Sequence, residues 1–236
     1  MSERYAIYYA PPTTSELWHR AARWLGRDPA TGNVANDGIA GIDGATLRAL
    51  TPSASRYGFH ATLMAPFTLA DGEEERALIT ALDVFCETMH PLVLPRLQLR
   101  RLDSFFALMP EVQGADLTGL ARDVVVAFDR FRAPLGENER IRREAADLSP
   151  SQLRNLMRWG YPYVFEDFRF HMTLSGRVDE ADAVRVHRAI EEHFGPLLEE
   201  EVEIGSLALF LEPEPGAPFI IRSFHEFGAV AERKFA

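Results

Sequence analysis

Two stretches of this 236-residue chain carry the same short pattern: Phe59-His60-Ala61-Thr62-Leu63 recurs as Phe170-His171-Met172-Thr173-Leu174. An unperturbed imidazole titrates near ~6.5, so at neutral pH one histidine can be neutral and another protonated when their surroundings differ. In-line attack on a cyclic phosphodiester calls for such a pair, a base beside the entering oxygen and an acid beside the departing one, on opposite sides of phosphorus. The hydroxyls of Thr62 and Thr173 can donate to the non-bridging phosphate oxygens, whose negative charge must be held through the transition state. The scheme requires neither a metal nor a cofactor.

If each stretch is a strand, side-chain alternation puts His60 with Thr62, and His171 with Thr173, on one face of its strand. Phe59, Ala61 and Leu63, like Phe170, Met172 and Leu174, then point the other way and can anchor the strand against helices. Arg169 shares the His171 face, and Arg56 the His60 face if that strand reaches back so far; each is a candidate for substrate binding, weighed equally against a surface ion pair. Tyr161 and Tyr163 are further candidates near the site, read first as core or lid packing and second as a platform for stacking a base. A lone His-x-Thr is commonly structural, because threonine favours strands. Duplication with matching flanks is what marks His60 and His171 as catalytic candidates.

The other histidines rank lower. His19, His187 and His193 fall off the apolar rows of their helices and read as solvated, His90 precedes Pro91 in a turn, and His225 in the last strand is held in reserve as a ligand contact. With one cysteine and no close-spaced histidine pair, the sequence lacks the spacing of a zinc site. It also lacks a P-loop and a G-x-S-x-G elbow.

The elements around the two motifs repeat in order. Each half is expected to open with a strand and a helix, Tyr5 to Tyr9 with Glu16 to Leu25, and Phe105 to Met109 with Leu117 to Phe131. The motif strand follows, then an amphipathic helix: one from near Gly72 with Leu78, Ala81, Leu82 and Phe85 in register, the other opened by Asp179 and ended by Gly195-Pro196. Leu92 to Leu102 and Val202 to Leu211 supply the closing strands, and Phe219 to Phe227 a last one. The reading is α+β: a single bilobal domain over 1–236, with duplicated β-α-β-α-β lobes at 1–103 and 104–236 and mostly antiparallel sheets. Two insertions interrupt it. The Gly- and Asp-rich stretch 27–55 reads as a functional loop or lid, and 134–168 holds a helix start at Ser149-Pro150-Ser151-Gln152, a capping box with proline at the first helical position, ending near Gly160.

Composition narrows the partners. Thirty-five acidic against 25 basic residues give a formal net charge of -10, which repels a long polyanion and disfavours duplex binding while leaving room for a small phosphorylated ligand in a basic cleft. No apolar run is long enough to span a bilayer, and the N-terminal stretch lacks the layout of a signal peptide. The single cysteine, Cys86, falls on a helix's apolar row and reads as core, so a reducing, cytoplasmic setting is expected.

The paired motifs, His60-Ala61-Thr62-Leu63 and His171-Met172-Thr173-Leu174, resemble those of the two-histidine (2H) phosphoesterase superfamily, which includes the 2′,5′ RNA ligase-like and cyclic nucleotide phosphodiesterase proteins. The wording from Gly160-Tyr161-Pro162-Tyr163 to Phe168-Arg169-Phe170-His171 is similar to a branch found beside phosphonate-utilisation genes. The resemblance implies a bilobal fold with the four motif residues lining a central cleft. It also implies metal-independent cleavage of cyclic phosphodiesters, with His60 and His171 catalytic and Thr62 and Thr173 binding phosphate. For the phosphonate branch the implied substrate is a ribose cyclic phosphate. Two other readings stand beside it: a non-catalytic module binding a phosphometabolite or nucleotide, and an RNA end-processing or ligase-like enzyme, which the acidic balance and long insertions disfavour.

Overall fold

A computed structural model of the chain describes residues 3–35, 37–136 and 147–228. In the first half, β1 (Arg4–Tyr9) leads to α1 (Glu16–Leu25) and two small hairpins, β2 (Arg27–Asp28) with β3 (Gly32–Asn33) and β4 (Gly38–Ile39) with β5 (Ile42–Asp43). Helices α2 (Gly44–Leu50) and α3 (Pro52–Tyr57), strand β6 (Ala61–Phe67), helix α4 (Glu75–Glu87) and strands β7 (Leu92–Leu94) and β8 (Leu97–Leu102) follow. The second half runs β9 (Phe105–Pro110), α5 (Ala115–Phe128), α6 (Pro150–Trp159), β10 (Met172–Thr173), α7 (Glu180–Leu198), β11 (Val202–Ile204) and β12 (Ser206–Glu212), with β13 (Ile220–Glu226) last.

The main sheet has seven strands in the order β13-β12-β1-β6-β10-β9-β8, every neighbour antiparallel. The repeat is visible in that order, but the closing strands change sides: β12 of the second half pairs with β1, while β8 of the first half pairs with β9. A cut at residue 103 therefore divides the sequence repeat without dividing the sheet. The β8–β9 connection explains the exchange locally. Leu102 pairs with Phe105 across the two-residue turn Asp103-Ser104, and Asp103 takes φ +50°, the left-handed geometry that suits a tight hairpin to the sheet's twist. Strands β7 and β11 form a separate antiparallel pair that links the halves again.

Helices α1, α4, α5 and α7 press their apolar rows on one face of the sheet, where Trp24, Leu78, Leu82, Val124, Phe128, Val186, Ile190 and Phe194 are fully buried with Phe170, Met172 and Leu174. Cys86 lies in this core, and burial pushes its thiol up to about 12. The opposite face carries a smaller cluster of Ala6, Tyr8, Trp18, Phe210 and Phe219. Among the described residues no helix is long and apolar enough to cross a membrane.

Three expectations need correction. Helix α7 runs through Gly195-Pro196 to Leu198; the proline removes one N–H donor, but burial of Leu197 holds the last turn on the core. Stretch 27–55 is no open loop. It folds into the two hairpins, α2 and most of α3, with Ile42, Leu47 and Ala54 buried. His193 is not solvated: its ring lies 5.8 Å from that of Trp24, and its Nε2 contacts the Arg20 carbonyl at 3.0 Å. In the second insertion α6 has the expected capping box on Ser149 and Gln152 and ends on left-handed Gly160, while residues 137–146 of that segment lie outside the described residues.

Candidate active site

The two motifs meet at the centre of the sheet. Strands β6 and β10 are neighbours, and Met172 pairs with Ala61. His60 and His171 lie one residue before these strands, and extending the antiparallel register by one residue to either side would set Thr62 against His171 and His60 against Thr173. The four polar side chains thus form a quadrilateral on one sheet face, with the histidines on its diagonal. Cross-strand Cβ atoms lie about 5 Å apart and diagonal ones about 7–8 Å, a span that two imidazoles can close around one phosphorus. The alternate residues Phe59, Ala61 and Leu63, with Phe170, Met172 and Leu174, are all buried on the helix side. Each large apolar side chain so buried contributes about 1.5–3 kcal/mol, and a one-residue slip would turn all of them to solvent. Packing therefore fixes which way the histidines face.

Both imidazoles are held by the carbonyl two residues before them. His60 Nδ1 donates to the Gly58 oxygen at 2.8 Å, and His171 Nδ1 donates to the Arg169 oxygen at 2.7 Å. A carbonyl can only accept, so Nδ1 carries the proton in each ring, and in the neutral ring Nε2 offers its lone pair. At His60 that Nε2 lies 3.2 Å from the Thr62 hydroxyl. The Tyr8 ring stacks on His60 with centroids 3.8 Å apart and planes 22° from parallel. Burial lowers the His60 pKa to about 4, opposed by the Gly58 carbonyl and reinforced by the nearby His171. Burial also lowers His171, with the Arg169 carbonyl opposing it.

The aim of the Gly58 carbonyl depends on local chain geometry. Gly58 closes α3 with φ +78° and ψ 171°, a combination open essentially to glycine alone, and a Cβ there would stand 2.7 Å from Pro29 Cγ. Arg27, a buried side chain, donates to the Ser55 carbonyl at 3.1 Å and to the carbonyls of Arg56 and Phe219, which ties the end of α3 to the sheet. Gly58→Ala is expected to cost about 1–3 kcal/mol through backbone strain and roughly as much again through the clash. Thermal unfolding measures the loss, and a stability equal to wild type would contradict this account of α3.

Two adjoining recesses open on the quadrilateral. One, of about 490 Å³, is lined by His60, Thr62 and Thr173 with Arg4, Tyr8, Ser53 and Tyr57. The other, of about 660 Å³, is lined by His171 and Thr62 with Arg101, Gln152, Asp167 and Arg169. Tyr161 and Tyr163 line both; their rings meet edge to face at 5.5 Å, and Tyr163 is 45% exposed. The buried Asn155 holds their segment, donating to the Val164 carbonyl at 3.3 Å and to Asp167 Oδ2 at 3.1 Å. Among the described residues no group of His, Cys, Asp and Glu side chains is arranged to hold a metal ion.

The sequence candidates thus divide. His60, Thr62, His171, Thr173, Tyr161, Tyr163 and Arg169 come together in one cleft. Arg56 does not: it lies in α3, not on a strand, and its guanidinium pairs with the buried Glu212 while Nε donates to the Gly216 and Ala217 carbonyls at 3.1 and 3.2 Å. His225 also leaves the candidate set, being buried with Nδ1 2.6 Å from Asp83 and Nε2 2.8 Å from Ser223 Oγ. Sequence reasoning missed Arg4, Tyr8, Ser53 and Tyr57 as lining residues. Arg4 and Tyr8 stand four residues apart in β1, on one face by strand alternation, and that spacing of a polar and an aromatic residue was the available signal.

The chain aligns with two curated proteins called ribose 1,5-bisphosphate phosphokinase PhnN. One, from Janthinobacterium sp. (strain Marseille), is 39% identical over 235 residues, 98% of this chain and 52% of that protein. The other, from Laribacter hongkongensis (strain HLHK9), is 37% identical over 218 residues, 92% of this chain and 50% of that protein. The chain spans about half the length of these relatives. Among solved structures, Escherichia coli LigT complexed with 3′-AMP superposes with a TM-score of 0.50 at 13% identity, covering 97% of this chain and all of LigT. TT0787 of Thermus thermophilus gives 0.47 at 15% identity, covering 96% of this chain and 99% of its own. The family model described as "Protein of unknown function (DUF1045)" matches residues 62–220. The chain therefore belongs to the DUF1045 family and carries the α+β fold of Escherichia coli LigT.

Proposed function

We propose that this chain is a phosphoesterase that opens a small cyclic phosphodiester by acid-base catalysis between His60 and His171. The observation that supports it best is the diagonal pair of imidazoles, each with Nδ1 tied to the carbonyl two residues back. Water attacks phosphorus from one side and gives a proton to the neutral imidazole there. The P–O bond on the far side breaks, and the leaving ribose oxygen takes the Nε2 proton of the other ring, which enters the step as imidazolium and leaves it neutral, giving a phosphate monoester and a free hydroxyl. Thr62 and Thr173 donate to the non-bridging oxygens.

For the substrate we favour a ribose cyclic phosphate in phosphonate metabolism, handled in the cytoplasm. The curated relatives of which this chain matches half are named for a ribose bisphosphate and its phosphorylation, and hydrolysis of a ribose cyclic phosphate ester yields a ribose phosphate monoester. The recesses also suit a compact ligand better than an RNA strand, in keeping with the net charge of -10.

A panel of ribose and nucleoside cyclic phosphates, followed by ³¹P NMR, tests both levels. Conversion to monoesters is expected, fastest for a ribose ester without a base. Binding across the panel without turnover would replace the proposal by a binding module. Thr62→Val and Thr173→Val, nearly isosteric, are each expected to lower kcat roughly 10²-fold by removing one donor to the developing charge. Unchanged initial rates in both variants would remove the threonines from the scheme.

A further inference from the structure

The lock on His171 differs in construction from the lock on His60. At Gly58 the helix end and a glycine conformation aim the carbonyl, whereas Arg169 is exposed and lies outside any strand. Strand β10 pairs with β9 through Met172 with Leu108 and Thr173 with Ala107. That pairing begins at Met172, so the Phe170 N–H, two residues earlier, takes no acceptor from β9. The ladder stops there, and the backbone entering His171 needs another partner.

Gln113, in the turn between β9 and α5, supplies one. Its Oε1 accepts from the Phe170 N–H at 2.7 Å, and its Nε2 donates to the Phe168 carbonyl at 3.0 Å. Nε2 also lies 3.1 Å from the Thr118 hydroxyl, which steadies the carboxamide. One side-chain amide thus binds the backbone on both sides of Arg169, as a peptide group of a neighbouring strand would. The Phe170 N–H and the Arg169 C=O are opposite ends of one planar trans peptide. Holding the N–H on Gln113 therefore points the carbonyl away from it, to where the His171 Nδ1–H lies at 2.7 Å. A bond to the N–H end also polarises the C=O end and makes it a better acceptor.

We infer that Gln113 is the positioning residue for His171, holding the imidazole through the Phe170–Arg169 peptide group so that Nε2 is the atom offered to the cleft. It is absent from the walls of both recesses that carry the histidines, so it acts through the backbone and not on substrate. Its catalytic consequence rests on the phosphoesterase reading above, but its structural content does not.

The test uses the full chain labelled with ¹⁵N-histidine. In wild type, long-range ¹H–¹⁵N correlations are expected to show neutral His60 and His171 protonated at Nδ1. Gln113→Leu should leave His60 unchanged and give His171 a mixture of tautomers, with kcat on a cyclic phosphate reduced roughly tenfold to a hundredfold, KM changed far less, and the limb of the pH profile belonging to His171 displaced. Gln113→Glu keeps the acceptor for Phe170 N–H and is expected to restore the Nδ1–H tautomer; it also serves if the leucine variant fails to fold. An unaltered His171 tautomer in folded Gln113→Leu, or a mixed one in folded Gln113→Glu, would overturn the inference. Because the NMR readout needs no turnover, an inactive wild type would refute the phosphoesterase reading while leaving this one decided on its own result.

Discussion

His60→Ala and His171→Ala are each expected to lower turnover of a cyclic phosphate by roughly 10²- to 10⁴-fold, the range for loss of one general acid or base. The double variant should fall little below the weaker single one, because both rings act on one phosphorus in one transition state and such losses do not add. Replacement by alanine also removes the side-chain bond to the Gly58 carbonyl, so a second substitution is needed to separate chemistry from the anchoring of the site. His60→Asn keeps a side-chain N–H for the Gly58 carbonyl while losing the titrating ring. It should unfold near the wild-type temperature and turn over no faster than His60→Ala. Initial rates on the best substrate of the panel check this, and either single variant working at the wild-type rate would end the acid-base scheme.

How far the sequence reached can be judged from those same residues. The duplicated motif gave the four polar groups and the face they share, because alternation along a strand is a local rule and Phe59, Ala61, Leu63, Phe170, Met172 and Leu174 satisfy it. Helix ends were equally local: Ser149 with Gln152 and the glycine after Trp159 mark α6 at both ends. What local rules do not contain is the pairing of distant strands. That β12 joins β1 while β8 joins β9 is decided by which strands share a core, and no residue in either strand announces it. The same limit explains Arg56. Counting back from His60 as if the strand continued placed it on the cleft face, whereas Pro52 starts a helix and Gly58 ends it, turning the guanidinium to Glu212. Gln113 was invisible for a related reason, since its partners Phe168 and Phe170 are 55 and 57 residues away.

The protein should lose stability on mild acidification, and His60 should be a main cause. Its ring is held neutral by burial, with a pKa lowered to about 4, against ~6.5 in the unfolded chain. Between those values the unfolded state binds a proton that the folded state refuses, so folding free energy is complete above pH ~6.5 and declines as pH falls toward 4. The linkage amounts to about 2 kcal/mol between pH 7 and pH 5 and roughly 3 kcal/mol by pH 4, from this one group. His171 and His193 are shifted in the same direction by their own burial and add to the slope. The carboxylates whose pKa values are lowered, Glu212 with its arginine partners and the capping Asp43 among them, lose stability only as pH drops through and below the usual carboxylate range. The window from pH 6.5 to 5 thus reports on histidines. Urea unfolding at pH 7 and pH 5 measures the difference, and His60→Asn is expected to reduce it by about 2 kcal/mol. An equal pH dependence in wild type and His60→Asn would show that the imidazole takes up its proton within the folded cleft, and that burial beside Tyr8 does not hold it neutral.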